Sequence, residues 1–156
     1  MTDPVVIKEV PPMLFVVSAH DDVTIPEIPA IARNEADQMI AVLGEEGIVA
    51  AGLMNFIYRG ADGTKTTRFR LELALPIAKR PASVPEPYEL MQAPAFRCVA
   101  TDYVGSMEDI QSGYALLFAA MARHGLRRTE ESREIYKHWV GYESDDNVTE
   151  LQLGVV

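Results

Sequence analysis

Glu134, Tyr136 and His138 stand two residues apart, so on an extended strand a carboxylate, a phenol and an imidazole share one face. Phe56 and Tyr58 show the same spacing earlier in the chain. A carboxylate drawn into an apolar cleft loses hydration at a cost of about several kcal/mol. A cationic ligand removes that cost, and aromatic faces each add roughly 0.5–2 kcal/mol to a desolvated cation. Flexible Met54 would let such a cleft repack around different ligands. The same residues also suit a hydrolase, with Glu134 as general base on a water and Tyr136 donating a hydrogen bond to the leaving oxygen. A binding protein is the reading taken, and the hydrolase stays open beside it.

Other chemistries lack their residues. His20, His124 and His138 show no HxxxH spacing, and His20-Asp21-Asp22 reads as a solvated loop, so no metal is expected. No nucleophile elbow, phosphate-binding lysine loop or dinucleotide-binding glycine turn is present, and no cofactor is expected. Cys98 is the single cysteine, which excludes an internal disulfide and reads as a buried strand thiol. Fourteen basic residues against 23 acidic ones leave a net charge of -9, a field that repels phosphate backbones, so no direct nucleic-acid contact is expected. No uncharged stretch, 47–58 included, is long enough for a bilayer span, and no secretion signal is read at the N-terminus. The expectation is a cytoplasmic protein without a membrane partner.

The elements that must position these residues come from a self-match at an offset of 78 residues. Phe56-Ile57-Tyr58 falls on Glu134-Ile135-Tyr136, and Glu72-Leu73-Ala74-Leu75 falls on Glu150-Leu151-Gln152-Leu153. Met39, Ile40 and Leu43 fall on Leu117, Phe118 and Met121, which gives both segments apolar residues at helical spacing. In the first copy, 5–19 reads as strand, bend and strand around Pro11-Pro12, 26–43 as helix, and 50–59 with 66–77 as a hairpin about Asp62-Gly63. In the second, 95–104 reads as strand, 107–124 as helix, and 133–140 and 148–156 as strands. Residues 76–94 hold five of the ten prolines and read as a linker without regular structure.

The expected fold is therefore α+β, built from duplicated β-α-β-β units with pseudo-twofold symmetry. One domain is expected over 1–156, with repeat one at about 4–78, a linker at about 79–94 and repeat two at about 95–156. Alternation assigns Ile57, Ile135, Leu71, Leu73, Leu75, Leu151, Leu153 and Val155 to the helix-covered face of an antiparallel sheet. It assigns Phe56, Tyr58, Glu134, Tyr136, His138, Glu72 and Glu150 to the opposite face, where a central ligand cleft is expected. Trp139 is out of step with Tyr136 and needs a bulge to join them.

Arg133-Glu134-Ile135-Tyr136, followed by Val148-Thr149-Glu150-Leu151-Gln152-Leu153, resembles the GyrI-like small-molecule-binding domains, met also as effector-binding domains of AraC-type and MerR-type multidrug regulators. The resemblance spans nearly the whole chain. It implies a pocket between two halves for bulky, hydrophobic, often cationic compounds, with a buried glutamate that corresponds to Glu134. It also places Tyr136 on the same strand face, Glu150 at the acidic position of the last strand, and Phe56 and Tyr58 at the symmetry-equivalent positions. Some members hydrolyse electrophilic cyclopropane-containing compounds, which keeps the catalytic reading of Glu134 and Tyr136 open. A third alternative is a module that receives a protein partner or a second copy as homodimer. With both repeats assigned, no residues are left for a helix-turn-helix, so a stand-alone form is expected.

Overall fold

The computed structural model describes residues 4–156. Its strands are β1 (Val6–Val10), β2 (Met13–Val23), β3 (Asn55–Arg59), β4 (Phe69–Pro76), β5 (Glu89–Ala93), β6 (Phe96–Val104), β7 (Arg128–His138) and β8 (Val148–Val155). Helix α1 (Ile28–Glu45) follows β2, and α2 (Ile110–His124) follows β6, each entered through one short 3-10 turn. The order strand, helix, strand, strand thus occurs twice.

Local chemistry accounts for the helix limits. The Glu27 carboxylate accepts from the Thr24 backbone N–H at 2.9 Å, closing the turn that leads into α1. Gly125, at φ +63°, ends α2 in the left-handed conformation that glycine enters without a Cβ penalty. The wide loop between β3 and β4 is held by Asp62, whose carboxylate accepts from the Thr64 backbone and from the Thr64 and Thr67 hydroxyls.

All eight strands form one sheet in the order β1-β6-β8-β7-β3-β4-β2-β5, and every named pairing is antiparallel. The edge strands are exchanged: β1 pairs with β6 of the second half, and β5 with β2 of the first. The segment expected to be an irregular linker therefore contains a strand. β5 was hidden because Pro87 and Pro94 flank it closely, and proline is tolerated at the ends of an edge strand.

Leu71, Leu73 and Leu75 pack with Met39 and Leu43 of α1, while Leu151, Leu153 and Val155 pack with Leu117 and Met121 of α2. Those assignments hold, as does the placement of Glu72 and Glu150 on the far face. The two central strands are reversed from expectation. Phe56 pairs with Leu73 and with Glu134, Glu134 with Leu151, and Tyr136 with Thr149, so Phe56, Tyr58, Glu134 and Tyr136 face the helices. Ile57 and Ile135 point to the other side, where Ile57 is buried with Phe15, Val17 and Ala74.

The reason lies in the curvature of the sheet. Phe15 on β2 and Phe96 on β6 have four strands between them, a separation of about 24 Å in a flat sheet. Yet the Arg133 guanidinium lies 4.0 Å from the Phe96 ring centroid and 5.8 Å from that of Phe15. The sheet must curl around its helix-free face, and this curl supplies a second core that the central isoleucines enter. Arg133, only 2% exposed, pairs with Glu131 at 2.6 Å. From there alternating charges run across the sheet through Arg59, Glu72, Arg70 and Asp21 at 2.8–3.0 Å.

Removing the guanidinium leaves Glu131 short of a partner in a largely desolvated site and two rings without their filler. Arg133→Ala is expected to destabilise the fold by about 3–5 kcal/mol, read as a lowered urea midpoint. A loss below about 1 kcal/mol, the range of an exposed pair, would show that the curl does not depend on this contact.

Candidate functional site

The helices flank the middle of the sheet and leave β3 and β7 bare between them. The resulting cleft, of about 950 Å³, has a floor of Phe56, Tyr58, Ser132, Glu134 and Tyr136. One wall comes from the first half of α1 through Ile28, Pro29, Ala32 and Ala36, the other from α2 through Ile110, Gln111, Tyr114 and Phe118. Its size lies within the range of small-molecule pockets. The cleft is on the helix side of the sheet, not the opposite side expected from alternation.

Positions 78 apart meet here. Pro29 and Met107, Ala32 and Ile110, Arg33 and Gln111, Ala36 and Tyr114, Phe56 and Glu134, Tyr58 and Tyr136, and Ala61 and Trp139 all line the cleft. Phe56 and Glu134 are also direct register partners across the β3–β7 seam. The two positions exchanged by the 78-residue relation are therefore neighbours at the centre. One half supplies a phenyl ring there and the other a carboxylate.

Glu134 is 8% exposed, and among the described residues no basic side chain forms an ion pair with it. Its charge is met by hydroxyls instead. Tyr58 donates to Oε1 at 2.9 Å, Tyr136 donates to the same oxygen at 2.8 Å, and Tyr114 donates to Oε2. Burial, followed by the Glu134 charge, pushes all three phenols well above their ordinary range. Each stays protonated and remains a donor. The rings are braced in turn: Phe56 meets Tyr136 edge-on at 4.9 Å, and Tyr136 meets Trp139 at 5.5 Å.

Of the residues singled out from sequence, Glu134, Tyr136, Phe56, Tyr58 and Trp139 line this cleft together. Trp139 arrives by a register shift between Tyr136 and His138, the bulge its parity required. The same shift pairs His138 with Val148, and His138 is exposed outside the cleft. Met54 packs against the α1-side core and is not in the lining. Glu150 lies on the helix-free, curled face as expected, but that face is not the cleft and Glu150 does not line it; Lys8 and Lys137 pair with it at 2.7 and 3.2 Å, and the Lys8 hydrogen bond helps hold its pKa low despite burial. Its register partner Ile135 shares that face, so strand alternation separates it from Glu134.

Tyr114 falls within the segment 107–124 expected as helix, but its role at Glu134 was not read from the sequence. Arg128 and Phe69 were missed as well. The offset held the signal for Tyr114, since Ala36 is its counterpart and both line the cleft. Among the described residues no cluster of His, Cys, Asp or Glu is arranged to hold a metal ion, and no helix is long and apolar enough to cross a membrane.

A sheet of this order with a ligand-sized cleft between two helices and a buried acid on its floor defines a small-molecule-binding domain. The chain belongs to the family of GyrI-like small molecule binding domains, which it matches over residues 3–155. No curated protein matches the sequence at a significant level. Among solved structures, the C-terminal domain of EcmrR is similar with a TM-score of 0.70 at 17% identity, over 97% of this chain and 96% of that one. In an EcmrR–DNA complex the TM-score is 0.72 at 16% identity, over 97% of this chain but 56% of that chain, so this chain spans about half of EcmrR as present there. SAV2435 bound to tetraphenylphosphonium has a TM-score of 0.63 at 9% identity, covering 97% and 93% of the two chains. A hydrolase encoded by lin2189 from Listeria innocua has 0.65 at 14%, covering 99% and 92%. At these identities the likeness is one of fold.

The raised phenols predict a pH response. Their folded pKa values lie above the unfolded value of about 10, so the unfolded chain loses these protons first. The stabilisation is complete below pH about 10 and is lost as the pH climbs beyond it. In a spectrophotometric titration of the folded protein, Tyr58→Phe, Tyr114→Phe and Tyr136→Phe should each leave the absorbance step near pH 10 unchanged. A smaller step in any variant would mean that phenol ionises normally.

Proposed function

We propose that this domain holds hydrophobic, cationic small molecules between its helices, with Glu134 as the electrostatic anchor and Phe56, Tyr58, Tyr136 and Trp139 as the aromatic lining. The observation that carries this reading is the buried carboxylate served by three hydroxyls and, among the described residues, ion-paired with no cation. Neutral donors stabilise its charge without cancelling it, so the cleft floor keeps a negative potential in apolar surroundings. A lipophilic cation supplies the missing charge, and the ring faces attract it without imposing one shape. The ligand named with SAV2435, tetraphenylphosphonium, has this chemistry and serves as the first probe. The repeat boundaries at about 4–78 and 95–156 belong to the same proposal, with the ligand seated where the halves meet.

The single tryptophan is half exposed at the rim and reports on occupancy. Tetraphenylphosphonium should quench Trp139 saturably, and Glu134→Gln should weaken its binding about ten- to a hundredfold, or about 1.4–2.7 kcal/mol. Equal affinity in wild type and Glu134→Gln would remove the anchor from this reading.

The hydrolase alternative keeps one specific support. Three lone-pair positions of Glu134 are taken by phenols, which leaves one acceptor position on Oε2 without a donor among the described residues. Mass analysis of a cyclopropane-containing electrophile after incubation decides between the readings. Recovery of intact compound supports binding, and a hydrated product lost in Glu134→Gln supports turnover.

A further inference from the structure

Besides Glu134, the cleft lining carries Arg33, Asp37, Asp62 and Arg128, and of these Arg128 has a buried donor left without a partner among the described residues. Arg128 opens β7, and Val155 is its register partner on β8, whereas Leu151 is the partner of Glu134. Four residues on one strand separate the two positions, about 13 Å at roughly 3.3 Å per residue. Arg128 lines the cleft at this far end with Ala61, Gln111 and Phe118. Its Nη2 donates to the Ala61 carbonyl at 2.7 Å, and its guanidinium lies 5.9 Å from the Phe118 ring centroid. Those contacts fix the plane of the group. Its Nε, by contrast, is buried and meets no acceptor among the described residues. A buried N–H without a partner is costly, more so on a charged group, which calls for an explanation.

We propose that Arg128 is a second anchor of the cleft, taking an anionic oxygen of the ligand, so that the preferred ligand class is a zwitterion with a flat apolar body. The cationic end lies at Glu134, the apolar body runs past Tyr114 and Phe118, and the carboxylate accepts from Nη1 of Arg128, which makes no hydrogen bond among the described residues and, unlike Nε, is not buried. This inference rests on the cleft being the binding site. It changes what the cleft selects. A site with Glu134 alone would rank lipophilic cations by size and charge, whereas opposite charges at its two ends rank them by the presence and distance of an acidic group. Two fixed charges of opposite sign also set the orientation of the ligand, which the near-symmetric floor of Phe56, Tyr58 and Tyr136 does not.

The test uses two dyes that share a cationic ring system and differ in one group: rhodamine 110, with a free carboxylate, and rhodamine 123, its methyl ester. By titration calorimetry, wild type should bind the carboxylate dye about tenfold or more tightly than the ester. Arg128→Gln should abolish this preference, so that the carboxylate dye binds no more tightly than the ester, and Arg128→Lys, which keeps the charge without the guanidinium fork, should restore part of it. Circular dichroism on each variant confirms the fold. Equal affinity for both dyes in wild type, with binding still dependent on Glu134, overturns the second anchor and leaves the cation cleft standing. An equal loss for both dyes in Arg128→Gln also overturns it, because Arg128 would then only shape the wall. Failure of both dyes to bind wild type overturns this inference, and retained binding of tetraphenylphosphonium in that case shows that the cleft reading itself survives.

Discussion

The charge of Glu134 is the constraint on which the rest of the site depends. A carboxylate this deeply buried needs donors, and three tyrosines from three different elements supply them: Tyr58 on β3, Tyr114 on α2 and Tyr136 on β7. To bring those hydroxyls to one point, β3 and β7 must pair in the register that sets Phe56 against Glu134, and α2 must approach the sheet closely. Gly113 makes that approach feasible. A Cβ on it would fall 2.7 Å from Leu151 and 3.0 Å from Tyr103, closer than packed side chains allow. The tyrosine rings then do two jobs, solvating the acid with their hydroxyls and forming the apolar floor with their faces.

Keeping that floor uncovered needs a second source of stability elsewhere. If the helices covered β3 and β7, the centre of the sheet would be an ordinary core and there would be no cleft. The curl of the sheet solves this by burying the reverse side of the same strands. Ile57, Phe15 and Ala74 close around one another, and Arg133 fills the gap between Phe15 and Phe96. Arg133 and Glu134 are adjacent in sequence yet serve opposite faces, one closing the curled core and the other charging the cleft. The exchanged edge strands tie the halves together, since β1 and β5 each add to the half they do not precede.

Much of this was legible in the sequence, and the parts that were not have a common cause. The 78-residue match located both helices and seven of the eight strands, because it rests on apolar spacing that local geometry dictates. Face assignment failed at Ile57, Ile135, Phe56 and Tyr58, because it took aliphatic residues as the markers of the helix side. That rule assumes one buried face, and a curled sheet has two. Cross-strand register decides the matter, and register is a long-range property that composition does not carry. Glu150 illustrates the same limit: the 78-residue offset relates it to Glu72, and both lie on the curled face, away from the cleft. Tyr114 was found as a helix residue and missed as a donor for a similar reason, since only the tertiary fold brings it to a carboxylate 20 residues away.

The near-symmetric scaffold has one further consequence for any ligand it receives. Some positions 78 apart in sequence serve the central seam alike, as Tyr58 and Tyr136 do by donating to the same oxygen. Such a floor offers no preferred direction along it. Direction comes where the halves differ, as at the seam, where Phe56 is the register partner of Glu134, and on the walls, where Ala36 is the counterpart of Tyr114 and Arg33 of Gln111. Divergence at these few positions changes the chemistry of the cleft without disturbing the pairing that builds it, because each substitution changes the lining and leaves the strand register intact. Charge at the seam is the most economical of these changes, since one carboxylate there lies within reach of both halves.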